Sequence, residues 1–176
     1  MTEEINISNV GNFINIETVE ISDISKIIQQ MLKIKRSDNK LNKKKTKPYS
    51  IDDKIKLNAM SSNLGILVEK YHVEAYDIVD DAISCLSAYE PCIASDLFDY
   101  YFEIYIEVLN DKVINCDDKV QIQSNSDVIY QSIMSKVREQ IYMYKKSEIP
   151  TNKQRTYISA ITAYVFYKCK FLIPVE

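Results

Sequence analysis

Residues 48–60 read PYSIDDKIKLNAM, and how this stretch is read decides the fold. Pro48 fits just ahead of a helix but not inside one. Ser50 is a candidate N-cap, and Asp52 and Asp53 fall where the positive end of a helix dipole favours carboxylates. Ile55, Met60, Leu64, Leu67 and Val68 then recur at roughly helical spacing, so the pattern predicts a helix over residues 50–70.

The same period continues downstream. EAYDIVDDAISCLSAY, residues 74–89, puts Val79, Ala82, Ile83 and Leu86 on one face. Pro91 suits the first turn of a third long helix, residues 91–109, whose apolar side carries Ile93, Leu97, Tyr101, Ile104, Tyr105 and Val108. A loop is expected at 110–124. SDVIYQSIMSKVREQIYMYKK then offers Tyr130, Ile133, Val137, Ile141 and Tyr144, and a last helix at about 152–171 offers Ile158, Ile161, Val165, Cys169 and, at its end, Leu172. Five helices of this length can close a bundle.

Composition agrees with a mostly α fold. The 176 residues are 46% hydrophobic and 27% charged, within the globular range, and two glycines and four prolines are too few for the turns of a sandwich or barrel. Ahead of the bundle, EINISNVGNFINIETVEI alternates Ile5 and Ile7, then Ile14 and Ile16, around a turn near Val10 to Asn12. That alternation predicts a small β-hairpin, which needs a helix, another subunit or a partner's sheet edge for stability. A short extra helix follows, with Ile21, Ile24, Ile28 and Met31 on one face and Ser22 as its candidate cap. The expected organisation is a hairpin and short helix at 1–35, a basic linker at 36–49 and a helical bundle at 50–176.

Charge is unevenly spread. Residues 33–47 hold eight Lys or Arg against one Asp, a sum of +7, so the net charge of −3 leaves −10 for the rest. The body is acidic and the linker basic. Arg36, Lys43, Lys44, Lys45 and Lys47 could contact phosphates, the alternative being a solvated linker, because the run has a single Arg and no aromatic platform. MTEEINISNV lacks the charged leader and apolar run of a signal peptide, and no eighteen consecutive apolar residues occur, so a cytoplasmic protein without a membrane partner is expected. Cys85, Cys92, Cys116 and Cys169 show no paired spacing and are read as reduced thiols, Cys169 as a buried one.

Sequence chemistry points away from catalysis. There is no phosphate loop, no G-x-S-x-G turn and no dinucleotide fingerprint, and the single histidine, His72, is expected at the surface or boundary beside Tyr71. Neither a catalytic residue, a cofactor nor a metal site is assigned. Asp96, Asp99, Glu103 and Glu107 share one helix face, where like charges cost a few tenths of a kcal/mol per pair. A solvated face, a docking surface for a basic partner, a hard-metal site and a face neutralised by the lysine run all fit that stripe.

The order PYSIDDKIKLNAM, IYIEVL, SDVIYQSIMSKV and AYVFYKCKFLIPVE resembles the carboxy-terminal helical domain of ABC-three-component systems, bacterial conflict systems implied in defence against phage. The family pattern opens Pro-x-x-Ile-x-x-Lys-Ile-x-x-Asn and closes near Cys-Lys-Ile-Leu-Glu-x-Pro. Pro48, Ile51, Lys54, Ile55, Asn58, Cys169, Lys170, Leu172 and Pro174 match it; Phe171 and Ile173 depart from it. The likeness covers about residues 48–174. GNFINIETV, residues 11–19, is similar to segments that precede modules in conflict-system effectors. The resemblance implies a non-enzymatic adaptor whose bundle docks an ABC-type ATPase, with a small middle component as a further partner and the hairpin adding a strand to another protein. It places docking on Lys54 and Asn58, expected on the exposed side of the first long helix. A small nucleic-acid-associated regulator using residues 33–47 is the competing reading.

Overall fold

The structure, a computed structural model, describes residues 23–34, 51–143, 151–168 and 171–175. The expected hairpin at 4–21, the basic linker at 36–49 and Cys169 lie outside the described residues. Those residues form helices and connecting turns and contain no strand.

Helix α1 covers residues 23–34 and buries Ile24, Ile27, Ile28 and Met31, the spacing of one helical face, in the same apolar core as the bundle. Lys26 fixes it to the turn after the third helix through an ion pair of 2.7 Å to Glu90, and within α1 it also pairs with Asp23 at 3.3 Å. α2 covers Ile51–Leu57, α3 Ser62–Ser87, α4 Ile93–Lys112, α5 Lys119–Ser124, α6 Ser126–Met143 and α7 Thr151–Lys168.

The helix expected over 50–70 is in fact two. α2 stops at Leu57, and α3 runs unbroken from Ser62 to Ser87. Ala59 adopts a left-handed backbone (φ 51°), which lets its N–H reach the Lys56 carbonyl at 3.0 Å and the Met60 N–H reach the Ile55 carbonyl at 3.2 Å. These two bonds close a Schellman motif. Ser61 restarts the chain: its hydroxyl accepts from the Leu64 N–H, while its own N–H donates to Asp127 at 3.0 Å. Gly65 permits the resulting tight turn, because a Cβ there would stand 3.0 Å from Ile55 Cγ2. The expected loop at 110–124 also contains a helix, α5, whose first N–H groups at Val120 and Gln121 donate to the Asp118 carboxylate.

α7 is the axis of the bundle. It packs on α3 and α6, α4 packs on α6 and α3, and α2 lies on α3. Where the sequence suggested a single apolar face of Ile158, Ile161 and Val165, every residue from Tyr157 to Tyr167 is buried. A helix enclosed on all sides must satisfy its polar groups internally. Thr162 donates to the Ile158 carbonyl at 2.8 Å and therefore accepts from the Tyr101 hydroxyl at 2.9 Å. Ser159 donates to the Arg155 carbonyl and accepts from Arg138, both at 3.0 Å.

Candidate functional site

Lys54 and Asn58 require a correction. Both are fully buried, not on an exposed side, and so cannot act as a docking surface. The reason is a contact with residues more than a hundred positions away. The Lys54 ammonium donates to the carbonyl of Phe166, one of the last four of α7, and lies 4.7 Å from the Phe166 ring centroid. A cation at the C-terminal end of a helix meets both an orphan carbonyl and the negative end of the dipole. This arrangement offsets the cost of burying the charge.

Asn58 receives the segment that follows α7. Its carboxamide nitrogen donates to the carbonyls of Lys54 and Ile173, each at 2.9 Å, and its oxygen accepts from the Ile173 N–H at 2.8 Å. The side chain thus pairs with both backbone groups of one residue, much as a strand would. Next to it, Tyr105 packs on Phe171, and burial pushes its hydroxyl pKa up to about 12. Phe171 sits among Phe166, Tyr105, Tyr130 and Tyr101, with ring centroids at 5.5, 6.2, 6.2 and 6.5 Å. Phe171, Leu172 and Ile173 are all buried, and Leu172 takes a left-handed backbone at φ 58°. Leu172 thus leaves the helical line expected from the α7 pattern. The two ends of the stretch that carries the family resemblance meet here.

The acidic stripe lies on α4 as expected, with Asp96, Asp99, Glu103 and Glu107 all exposed. Its far end is engaged: Lys136 of α6 bridges Glu107 at 2.8 Å and Asp111 at 3.0 Å, and these carboxylates hold the Lys136 pKa above its ordinary value. Among the described residues, no ion pair involves Asp96, Asp99 or Glu103. At the edge of the stripe stands Phe102, 46% exposed, which helical period places next to Asp99, three residues earlier, and about 100° round the helix from Glu103. At the Lys136 bridge, α4 and α6 frame an open groove of about 460 Å³ lined by Val108, Asp111, Gln131, Ser132, Lys136 and Glu139.

A second polar group joins α3 to α7, and sequence reading did not find it. Tyr164 donates to Asp80 at 2.8 Å, and Lys168 approaches the same carboxylate at 3.6 Å while lying 5.5 and 5.6 Å from the Tyr76 and Tyr164 rings. Burial, then the bond to Asp80, raises the Tyr164 pKa. His72 belongs to the same seam: it is 2% exposed, not at the surface, because the rings of Tyr76 and Tyr167 pack on it at 5.0 and 4.5 Å. The available signal was the spacing of His72, Tyr76 and Asp80 at successive fourth positions, which puts them in line on one helix face. Which residues of α7 they meet is not a local property.

Cys85, Cys92 and Cys116 are free and exposed. Among the described residues, no group of three His, Cys, Asp or Glu is placed to hold a metal ion, and no helix is long and apolar enough to cross a membrane. Arg36, Lys43, Lys44, Lys45 and Lys47 lie outside the described residues. Comparisons with protein-family models, with curated proteins and with solved structures return no match.

Proposed function

We propose that this chain is a non-enzymatic adaptor of a bacterial ABC-three-component anti-phage defence system, docking an ABC-type ATPase through its helical domain. The observation that carries the docking reading is the α4 face: the exposed carboxylates of Asp96, Asp99 and Glu103, with Phe102, nearly half exposed, at the edge of the stripe beside Asp99. An exposed aromatic at the edge of a like-charged stripe suits a partner surface that offers an apolar pocket bordered by Lys or Arg. Such a surface would relieve the like-charge cost that the stripe carries alone. Lys54 and Asn58, which match the opening pattern, bond the end of α7 and the backbone of Ile173, a position that departs from the closing one.

The test is affinity purification of the tagged chain from its native host at moderate salt, with nuclease treatment and mass spectrometry of what remains bound. The expected result is an ABC-type ATPase retained in near-stoichiometric amount and lost on Asp99→Lys with Glu103→Lys, or on Phe102→Ala, while circular dichroism stays unchanged. Retention indifferent to these exposed substitutions would remove α4 as the docking face. Nucleic acid dominating the untreated sample, with no ATPase in the treated one, would replace the adaptor by the regulator.

A further inference from the structure

We propose that the slot holding Phe171, Leu172 and Ile173 is a peptide-binding site whose resident ligand is the chain's own segment, and that an extended aromatic–aliphatic–aliphatic segment of a partner protein exchanges with it. The proposal rests on the interaction-module reading only for where that partner segment comes from.

Each of the three residues is held in its own way. The first is taken by side chain, in the nest of Tyr101, Tyr105, Tyr130 and Phe166. The second is buried, 2% exposed, in a left-handed backbone conformation. The third is met at both its N–H and its carbonyl by Asn58. Main-chain bonds combined with pockets for selected side chains are how folded domains bind extended peptides.

Two features make the slot independent of its occupant. The Asn58 nitrogen also bonds the Lys54 carbonyl at 2.9 Å, which orients the carboxamide within its own helix whether or not Ile173 is present. Lys54 caps the Phe166 carbonyl, so the end of α7 keeps this partner if the segment leaves. A site held in shape by its own scaffold binds with less ordering cost. The resident, by contrast, carries strain: Leu172 is a bulky residue at φ 58°, a conformation that disfavours any side chain. A ligand with glycine at that position would lack this strain.

The assay uses the full chain and a fluorescein-labelled peptide of residues 170–176, KFLIPVE, followed by anisotropy. Phe171→Asp weakens the resident, and a larger fraction of open slots tightens apparent binding in proportion. The expected result is that the peptide binds the Phe171→Asp chain at least ~10-fold more tightly than the unaltered chain. A peptide with Gly for Leu at its third position should bind tighter still, and adding Asn58→Ala to the Phe171→Asp chain should abolish binding. In parallel, hydrogen exchange on the unaltered chain should show amides of 171–173 opening at least ~100-fold faster than those of residues 160–166. Protection equal to that of α7, loss of helical signal in Phe171→Asp, or binding that ignores Asn58→Ala would each overturn the proposal. Concentration-dependent dimers with exchanged segments, seen by native mass spectrometry, would reassign the slot to a second copy and overturn the partner assignment. No ATPase is present in these assays, so their failure leaves docking on α4 standing, and failure of the purification leaves the slot standing.

Discussion

Asn58→Ala tests the central contact of the structure. The substitution removes two hydrogen bonds to Ile173 and one to the Lys54 carbonyl, all in a fully buried setting. Each bond contributes about 1 kcal/mol net, and a buried donor or acceptor left unpaired costs about 1–3 kcal/mol. If Ile173 stayed in place, the two bonds lost and the two groups orphaned would together amount to about 4–8 kcal/mol. The segment has another course, which is to leave the slot and hydrate its backbone, so release of 171–173 sets the upper limit of the loss. We expect a destabilisation of about 2–4 kcal/mol, against a total of about 5–15 kcal/mol for a domain. Urea denaturation followed by circular dichroism reads it directly: with a slope near ~2 kcal/mol per molar, the midpoint falls by about 1–2 M. Phe171→Ala should be non-additive with Asn58→Ala, because both act through the same segment and the second change finds it already loosened. A loss below about 1 kcal/mol, or strict additivity in the double-mutant cycle, would refute the assignment of Asn58 as the residue that holds Ile173.

Two further outcomes follow from local geometry and from burial. Val113 ends α4 in the left-handed region at φ 56°, satisfies the Asn110 and Leu109 carbonyls through its own N–H and that of Ile114, and is 89% exposed. A β-branched side chain is poorly suited to that conformation and buries almost nothing, so Val113→Gly should stabilise by about 1 kcal/mol and raise the melting temperature by about 2–4 °C. Calorimetry showing no gain would mean that the strain is absent. Tyr101, Tyr105, Tyr130 and Tyr164 all have pKa values raised from 10.0, burial being the first cause in each case, Tyr105 to about 12. A raised folded-state pKa means that the unfolded chain loses the proton first, so their contribution is complete below pH 10 and declines as pH climbs from 10 through the folded values. Absorbance at 295 nm during alkaline titration should therefore show these phenols ionising together with unfolding. Ionisation of all 13 tyrosines near pH 10 with the helical signal intact would contradict their burial.

What the sequence determined by itself is the long helices α4 and α6 and the faces they turn inward. Ile93, Leu97, Tyr101, Ile104, Tyr105 and Val108 are buried on α4, and Tyr130, Ile133, Val137 and Ile141 on α6, because a helix that must hide an apolar stripe repeats it every 3.6 residues within its own segment. The acidic stripe was legible for the same reason. Tertiary structure decided everything set by a distant neighbour. α2 ends where Asn58 meets Ile173, 115 positions away, and no local pattern records that bond. Lys54 and His72 look like surface residues by type, yet one caps the end of α7 and the other packs between Tyr76 and Tyr167. α7 reads as one-sided because its Ser159 and Thr162 are polar, and it is enclosed on all sides because Arg138 and Tyr101, from neighbouring helices, complete their hydrogen bonds. Periodicity reports how much of a helix avoids water. Which partner covers it, and which polar group that partner satisfies, is fixed only when the chain closes on itself.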